Sequence, residues 1–125
     1  MTHPDEGHDP AVPRSLDPSV LARLAEDSSS EVAVRFAARY AAMLQRRVDR
    51  ILAAVEAGDV DAAMDTVLSL KVSSSTIGTD ELAVLAATLE VDVKALDWGR
   101  ARACAARLPD AAQRAEGALA EHIPD

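Results

Sequence analysis

Apolar residues recur every third or fourth position along most of the chain, and no stretch keeps the strict alternation of a half-buried strand. The stretch from Val20 to Leu108 contains no proline and is divided by glycines and capping residues instead. A short helix is expected from about Asp17 to Glu26, with Pro18 in its first turn. Ser28 and Glu31 then have the spacing of a capping box, which predicts a long helix with the apolar side Phe36, Tyr40, Leu44, Val48, Ile51 and Val55. Gly58 is the expected C-terminal residue of that helix. Asp59 caps the next, which stops near Gly78. Thr79 is expected to cap a further helix whose stripe is Leu82, Leu85, Leu89, Val93 and Leu96, with Asp80 and Glu81 near its positive end. Asp97 caps the last one, which Pro109 should kink or interrupt before it resumes to about Ile123.

These periods predict an all-α fold: an antiparallel up-and-down four-helix bundle with a short extra N-terminal helix. Helical repeats would be the alternative, but no fixed period recurs. Composition agrees, since hydrophobic residues make up 49% and Phe36, Tyr40 and Trp98 are the only aromatics. Residues 1–14 hold Pro4, Pro10 and Pro13 and read as a disordered tail, which leaves residues 15–125 for the bundle.

A net charge of -8 argues against nucleic acid or an anionic membrane surface as partner. The single cysteine, Cys104, excludes an internal disulfide and is expected to be a small core residue, and a reducing cytosol suits it. The N-terminal stretch lacks the apolar run of a signal peptide, so a cytoplasmic location is expected.

The segment DTVLSLKVSSSTIG (65–78) holds the candidate chemistry. On a helical wheel Ala63, Val67, Leu70, Ser74 and Ile77 share one side, suited to the core. Met64, Leu68, Lys71, Val72 and Ser75 share another, about 130° away. That second face is either buried under the tail or the short helix, or it is a partner-binding patch, with Met64, Leu68 and Val72 in a row beside one cation. A serine–lysine nucleophile is disfavoured: Ser69 and Lys71 point about 200° apart, and no oxyanion hole accompanies Ser75. Ser69, Ser73, Ser74, Ser75 and Thr76 read instead as small residues that permit close packing. His3 and His8, among Asp5, Glu6 and Asp9, match no ordered metal site, and His122 is expected to be solvated. No cofactor is implied. Arg35, Arg39, Arg46 and Arg50 form a stripe on the long helix, either a solvated face paired with acidic neighbours or a docking stripe for an acidic partner.

Leu68-Ser69-Leu70-Lys71-Val72-Ser73-Ser74, then Ile77-Gly78, then Glu81-Leu82 and Leu89-Glu90, resemble the histidine phosphotransfer (HPt) family. That family's signature is His-x-Leu-Lys-Gly-Ser-Ser/Ala, a second glycine farther on, and a helix of the type Leu-x-x-Leu-x-x-x-Leu-Glu. The junction VEAGDVDAAM (55–64) is also similar, and the resemblance spans residues 15–122. It implies an HPt-type bundle, Gly78 as a structural turn, and a receiver domain or related signalling protein as partner. The family's phosphoryl-accepting histidine falls on Leu68, and no histidine lies between His8 and His122. Leucine cannot form a phosphoramidate, so no catalytic residue is expected. The family's glycine falls on Val72, which fills the space a phosphoryl group would need. Lys71 matches, but has no phosphohistidine to serve, and is expected to meet a carboxylate of a partner.

The expected function is therefore a non-catalytic, pseudo-HPt signalling adaptor binding through Met64, Leu68, Lys71, Val72 and Ser75. The alternative is a helical oligomerisation module whose same apolar face makes a homodimer.

Overall fold

The computed structural model describes residues 12–122, so most of the tail expected over residues 1–14, with the His3 and His8 candidates, lies outside the described residues, as does Ile123. Six helices follow in order: α1 (Pro18–Asp27), α2 (Ser30–Ala57), α3 (Val60–Ile77), α4 (Asp80–Lys94), α5 (Trp98–Ala105) and α6 (Leu108–Ala120). There is no strand among the described residues. The fold is an all-helical bundle: α2, α3 and α4 are three of its members, and α5 with α6 forms the fourth.

The helix ends follow from local chemistry. Asp59 Oδ1 accepts from Ala62 N at 3.1 Å and Asp97 Oδ1 from Arg100 N at 3.1 Å, each satisfying an amide that the first turn leaves open. Gly58 (φ 65°) and Gly78 (φ 93°) end α2 and α3 in the left-handed conformation, where a side chain is strained. The fourth helix is interrupted just ahead of Pro109, which sits in the first turn of α6 and so needs no amide partner there.

Four local expectations are corrected. The cap of α2 is Ser29, not Ser28: Ser29 Oγ accepts from Val32 N at 3.0 Å, while Ser28 N still closes α1 by donating to Leu24 O at 3.0 Å. Phe36 is exposed, because at the N-terminal end of α2 the buried positions are Ala33, Ala37 and Tyr40. Leu96 does not continue the α4 stripe. It takes φ 56° and is exposed, since the helix has already closed through Leu96 N to Val93 O and Asp97 N to Asp92 O, both 3.0 Å. Thr79 occupies the cap position of α4 without capping it. Its hydroxyl is buried against the Tyr40 hydroxyl at 2.8 Å, and the Arg14 carbonyl serves the first turn instead, accepting from Glu81 N at 2.8 Å. Arg14, placed in the tail by sequence, is thus tied to the bundle.

The core is aliphatic and continuous. Leu44, Val48 and Ile51 of α2 are fully buried, as are Val67, Leu70 and Ile77 of α3, Leu82, Leu89 and Val93 of α4, and Leu108 and Leu119 of α6. Each such side chain contributes about 1.5–3 kcal/mol relative to exposure. Cys104 is buried as expected, its thiol donating to Leu85 O at 3.4 Å, and burial pushes that thiol above its ordinary pKa. One polar knot sits in the core: Tyr40 Oη lies 2.8 Å from Ser74 Oγ and 2.8 Å from Thr79 Oγ1, joining α2 to the end of α3 and the start of α4. α1 packs mainly on α2, and its entry crosses the α3–α4 junction, where Asp17 N donates to Gly78 O at 2.7 Å.

Candidate docking face

The wheel of α3 divides as its sequence implies. Ala63, Val67, Leu70, Ser74 and Ile77 are all fully buried. On the outer side Leu68 is 39% exposed and Val72 is 64% exposed, so neither α1 nor any other described segment covers them. Ser75 is also exposed. Met64 differs from the rest: it is half-buried and packs on the edge of the core, so it flanks the exposed row rather than leading it. Gly78 is needed twice over, for its left-handed backbone and for space. A Cβ there would lie 2.9 Å from Val20 Cβ and 3.0 Å from Asp17 O.

Lys71 is the main correction at this site. Its ammonium donates to Glu90 Oε1 at 2.8 Å, so its carboxylate partner belongs to α4 of the same chain. Glu90 Oε2 accepts from Lys94 at 2.8 Å, which makes a Lys71–Glu90–Lys94 bridge across the α3–α4 hairpin. The hydrogen bonds from Lys71 and then Lys94 hold the Glu90 carboxyl down at about 2, against an ordinary 4.5. The bridge fixes the level of the two helices, because α4 runs antiparallel to α3. Glu90 precedes Val91, and both Val91 and Val84 on the outer side of α4 are largely exposed. The outward apolar surface of the hairpin therefore includes α4 as well as α3. Sequence reasoning missed Glu90, Lys94, Val84 and Val91. The signal for Glu90 was present, as a carboxylate in the quoted Leu89-Glu90 pair, but its placement opposite Lys71 depends on the packing of two helices.

The hydroxyl cluster disperses. Ser73 and Thr76 donate to carbonyls one turn back, Ser69 O at 2.7 Å and Val72 O at 2.8 Å. Ser73 Oγ also accepts from Arg47 at 2.6 Å. Ser74 is in the core with Tyr40. Lys71 is committed to Glu90 and bonds no hydroxyl in this set, so nothing on α3 is arranged to deprotonate a serine. Among the described residues no three His, Cys, Asp or Glu side chains gather to hold a metal ion. No helix among them is long and apolar enough to cross a membrane.

The arginine stripe of α2 is only partly paired. Arg35 bonds Glu31 at 2.9 Å on the exposed surface. Arg39, Arg46 and Arg50 make no ion pair among the described residues.

No protein-family model matches the chain, and no curated protein matches it. Among solved structures it is similar to histidine-containing phosphotransfer protein B from Pseudomonas aeruginosa PAO1, at 25% sequence identity and a TM-score of 0.79, over 86% of this chain and 92% of that one. The HPt-type helical bundle expected from the sequence is thus the fold of a protein of that class, at matching length and with a low share of identical residues.

Proposed function

We propose that the protein is a non-catalytic, HPt-like member of a phosphorelay system that binds a receiver domain or related signalling protein through the α3–α4 face without carrying phosphate. The observation that carries this reading is Leu68 and Val72 standing exposed at mid-helix, at the positions where the resemblance expects a histidine and a glycine. The fold shared with a histidine-containing phosphotransfer protein supplies the class. The substitutions remove the acceptor atom and fill the space beside it, while leaving an apolar surface available to a partner. Lys71 agrees with this reading. The cation that would neutralise a phosphoryl group is instead neutralised by Glu90, so the face is held in register by an internal bridge.

Two measurements test it. Incubation with phosphorylated cognate receivers should leave no acid-labile phosphate on the protein; label mapping to α3 would overturn the reading. Leu68→Asp should abolish receiver binding by a protein that is monomeric by size-exclusion mass. A dimer that Leu68→Asp splits would assign the same face to homodimerisation instead. Leu68→His with Val72→Gly is expected to gain some phosphoryl acceptance, and more than Leu68→His alone, because Val72 crowds the site. Equal acceptance by the two would show that Val72 is no obstacle.

A further inference from the structure

A cleft of about 350 Å³ opens between α4 and α5. Thr88 and Asp92, one turn apart on α4, form one wall. Arg100, Ala103, Cys104 and Arg107 form the other, at steps of three and four from α5 into the link to α6. Asp92 lies about 200° round α4 from Glu90, so the cleft is turned away from the Lys71 bridge.

Asp92 singles this cleft out. It is 8% exposed, yet its carboxylate makes no hydrogen bond or ion pair among the described residues. A carboxylate so far out of water without a partner is costly. It also stands in the last turn of α4, where the helix dipole disfavours negative charge. A cation brought into the cleft from outside offsets both costs.

The opposite wall limits what that cation can be. Arg107 is exposed and makes no ion pair among the described residues, and Arg100 has only a 3.7 Å contact with Asp97 on the exposed surface. Beyond the effect of burial, the Asp92 charge pushes the Cys104 thiol up in pKa and the Arg107 charge pushes it down, so unlike charges act on one side chain. They do not meet, since no ion pair joins Asp92 to Arg100 or Arg107. A simple cation is repelled by the arginines and a simple anion by Asp92. A ligand bearing both charges a short distance apart satisfies both walls. Thr88 Oγ1 gives its hydrogen to Val84 O at 3.0 Å, which leaves lone pairs to accept from an ammonium.

We propose that the α4–α5 cleft binds a small zwitterion, a primary ammonium joined by a short linker to a carboxylate or phosphate. The ammonium donates to Asp92 and Thr88, and the anionic end accepts from Arg100 and Arg107. Ala103 and Cys104 leave room for the linker between them. The site shares no residue with the α3–α4 face, and its failure would leave that reading intact.

The test titrates the isotope-labelled full chain with glycine, β-alanine, γ-aminobutyrate and phosphoethanolamine, with methylamine and acetate as singly charged controls. At least one zwitterion should give saturable amide shifts at Thr88, Asp92, Ala103, Cys104 and Arg107. Its affinity should exceed that of either control by at least about tenfold, and the tighter class assigns the anion. Asp92→Asn should abolish those shifts. It should leave the melting temperature of the ligand-free protein equal or higher, because it removes an unpaired buried charge. Arg100→Gln with Arg107→Gln should weaken binding by about tenfold or more with unchanged melting. A clear fall in the melting temperature of Asp92→Asn would reveal a partner for the carboxylate within the protein and overturn the proposal. So would shifts that never saturate, equal binding of methylamine or acetate, or undiminished binding by either variant.

Discussion

Removing the Tyr40 hydroxyl tests how the bundle holds the α3–α4 junction. Tyr40 is 5% exposed, and its hydroxyl bonds Ser74 Oγ and Thr79 Oγ1, both in residues with no exposed surface. In Tyr40→Phe the ring still fills its place. Thr79 keeps a long contact to Ser74 O at 3.4 Å, but Ser74 Oγ loses its one side-chain hydrogen bond among the described residues. A net loss of about 0.5–1.5 kcal/mol per bond, with a stranded buried hydroxyl at the upper end of such costs, gives about 2 kcal/mol. That is a large part of the roughly 5–15 kcal/mol by which a domain of this size is stable. Urea unfolding followed by circular dichroism should show the midpoint falling by about 1 M with unchanged slope. Ser74→Ala in the Tyr40→Phe background should cost less than Ser74→Ala alone, with a coupling of about 1 kcal/mol. A cost below about 0.5 kcal/mol for Tyr40→Phe, or strictly additive losses, would refute the network's role. The sign in alkali is also fixed. Burial pushes the Tyr40 phenol above its ordinary value, against the opposing hydrogen bonds from Ser74 and Thr79. A raised folded pKa stabilises fully below the unfolded value, and that stability is lost as the pH rises past about 10. Tyr40→Phe should flatten the alkaline fall, and an unchanged fall would contradict the assignment.

Two further outcomes are expected. Gly58→Ala meets Trp98 only at 3.8 Å, so it should cost about the 1–2 kcal/mol of a left-handed alanine. Gly78→Ala adds contacts of 2.9 Å to Val20 and 3.0 Å to the Asp17 carbonyl and should cost clearly more; equal losses in urea would show that α1 does not press on Gly78. The Glu90 carboxyl should titrate near 2 by NMR, and Lys71→Ala should move it toward 4.5, because the Lys71 hydrogen bond is the largest cause of the depression. A depressed folded pKa gives stability present above about 4.5 and lost as pH falls through about 2, so Glu90→Gln should remove that acid-side dependence. A Glu90 midpoint at the ordinary value would show that the bridge does not persist in solution.

Much of the fold was legible because its determinants are local. Asp59 and Asp97 as caps, Gly58 and Gly78 as left-handed stops, and the interruption ahead of Pro109 each depend on a few consecutive residues and on backbone sterics. The division of α3 into a buried side and an exposed side follows from the same local periodicity. That position 68 is a leucine is a matter of residue identity alone.

What the sequence could not decide lies between elements. Thr79 reads as a cap, yet its hydroxyl turns inward to Tyr40, 39 positions away, and a carbonyl from Arg14 takes over the first turn of α4. Phe36 and Leu96 fit their stripes by spacing, but burial requires a facing helix, and both side chains stay exposed among the described residues. Lys71 needed a carboxylate, and nothing in its own helix named Glu90; the antiparallel packing of α3 on α4 did. Periodicity along one helix specifies which side can be buried, because side-chain direction repeats with the backbone. Which groups meet across helices depends on their register and crossing, and those are set only when the whole core packs together.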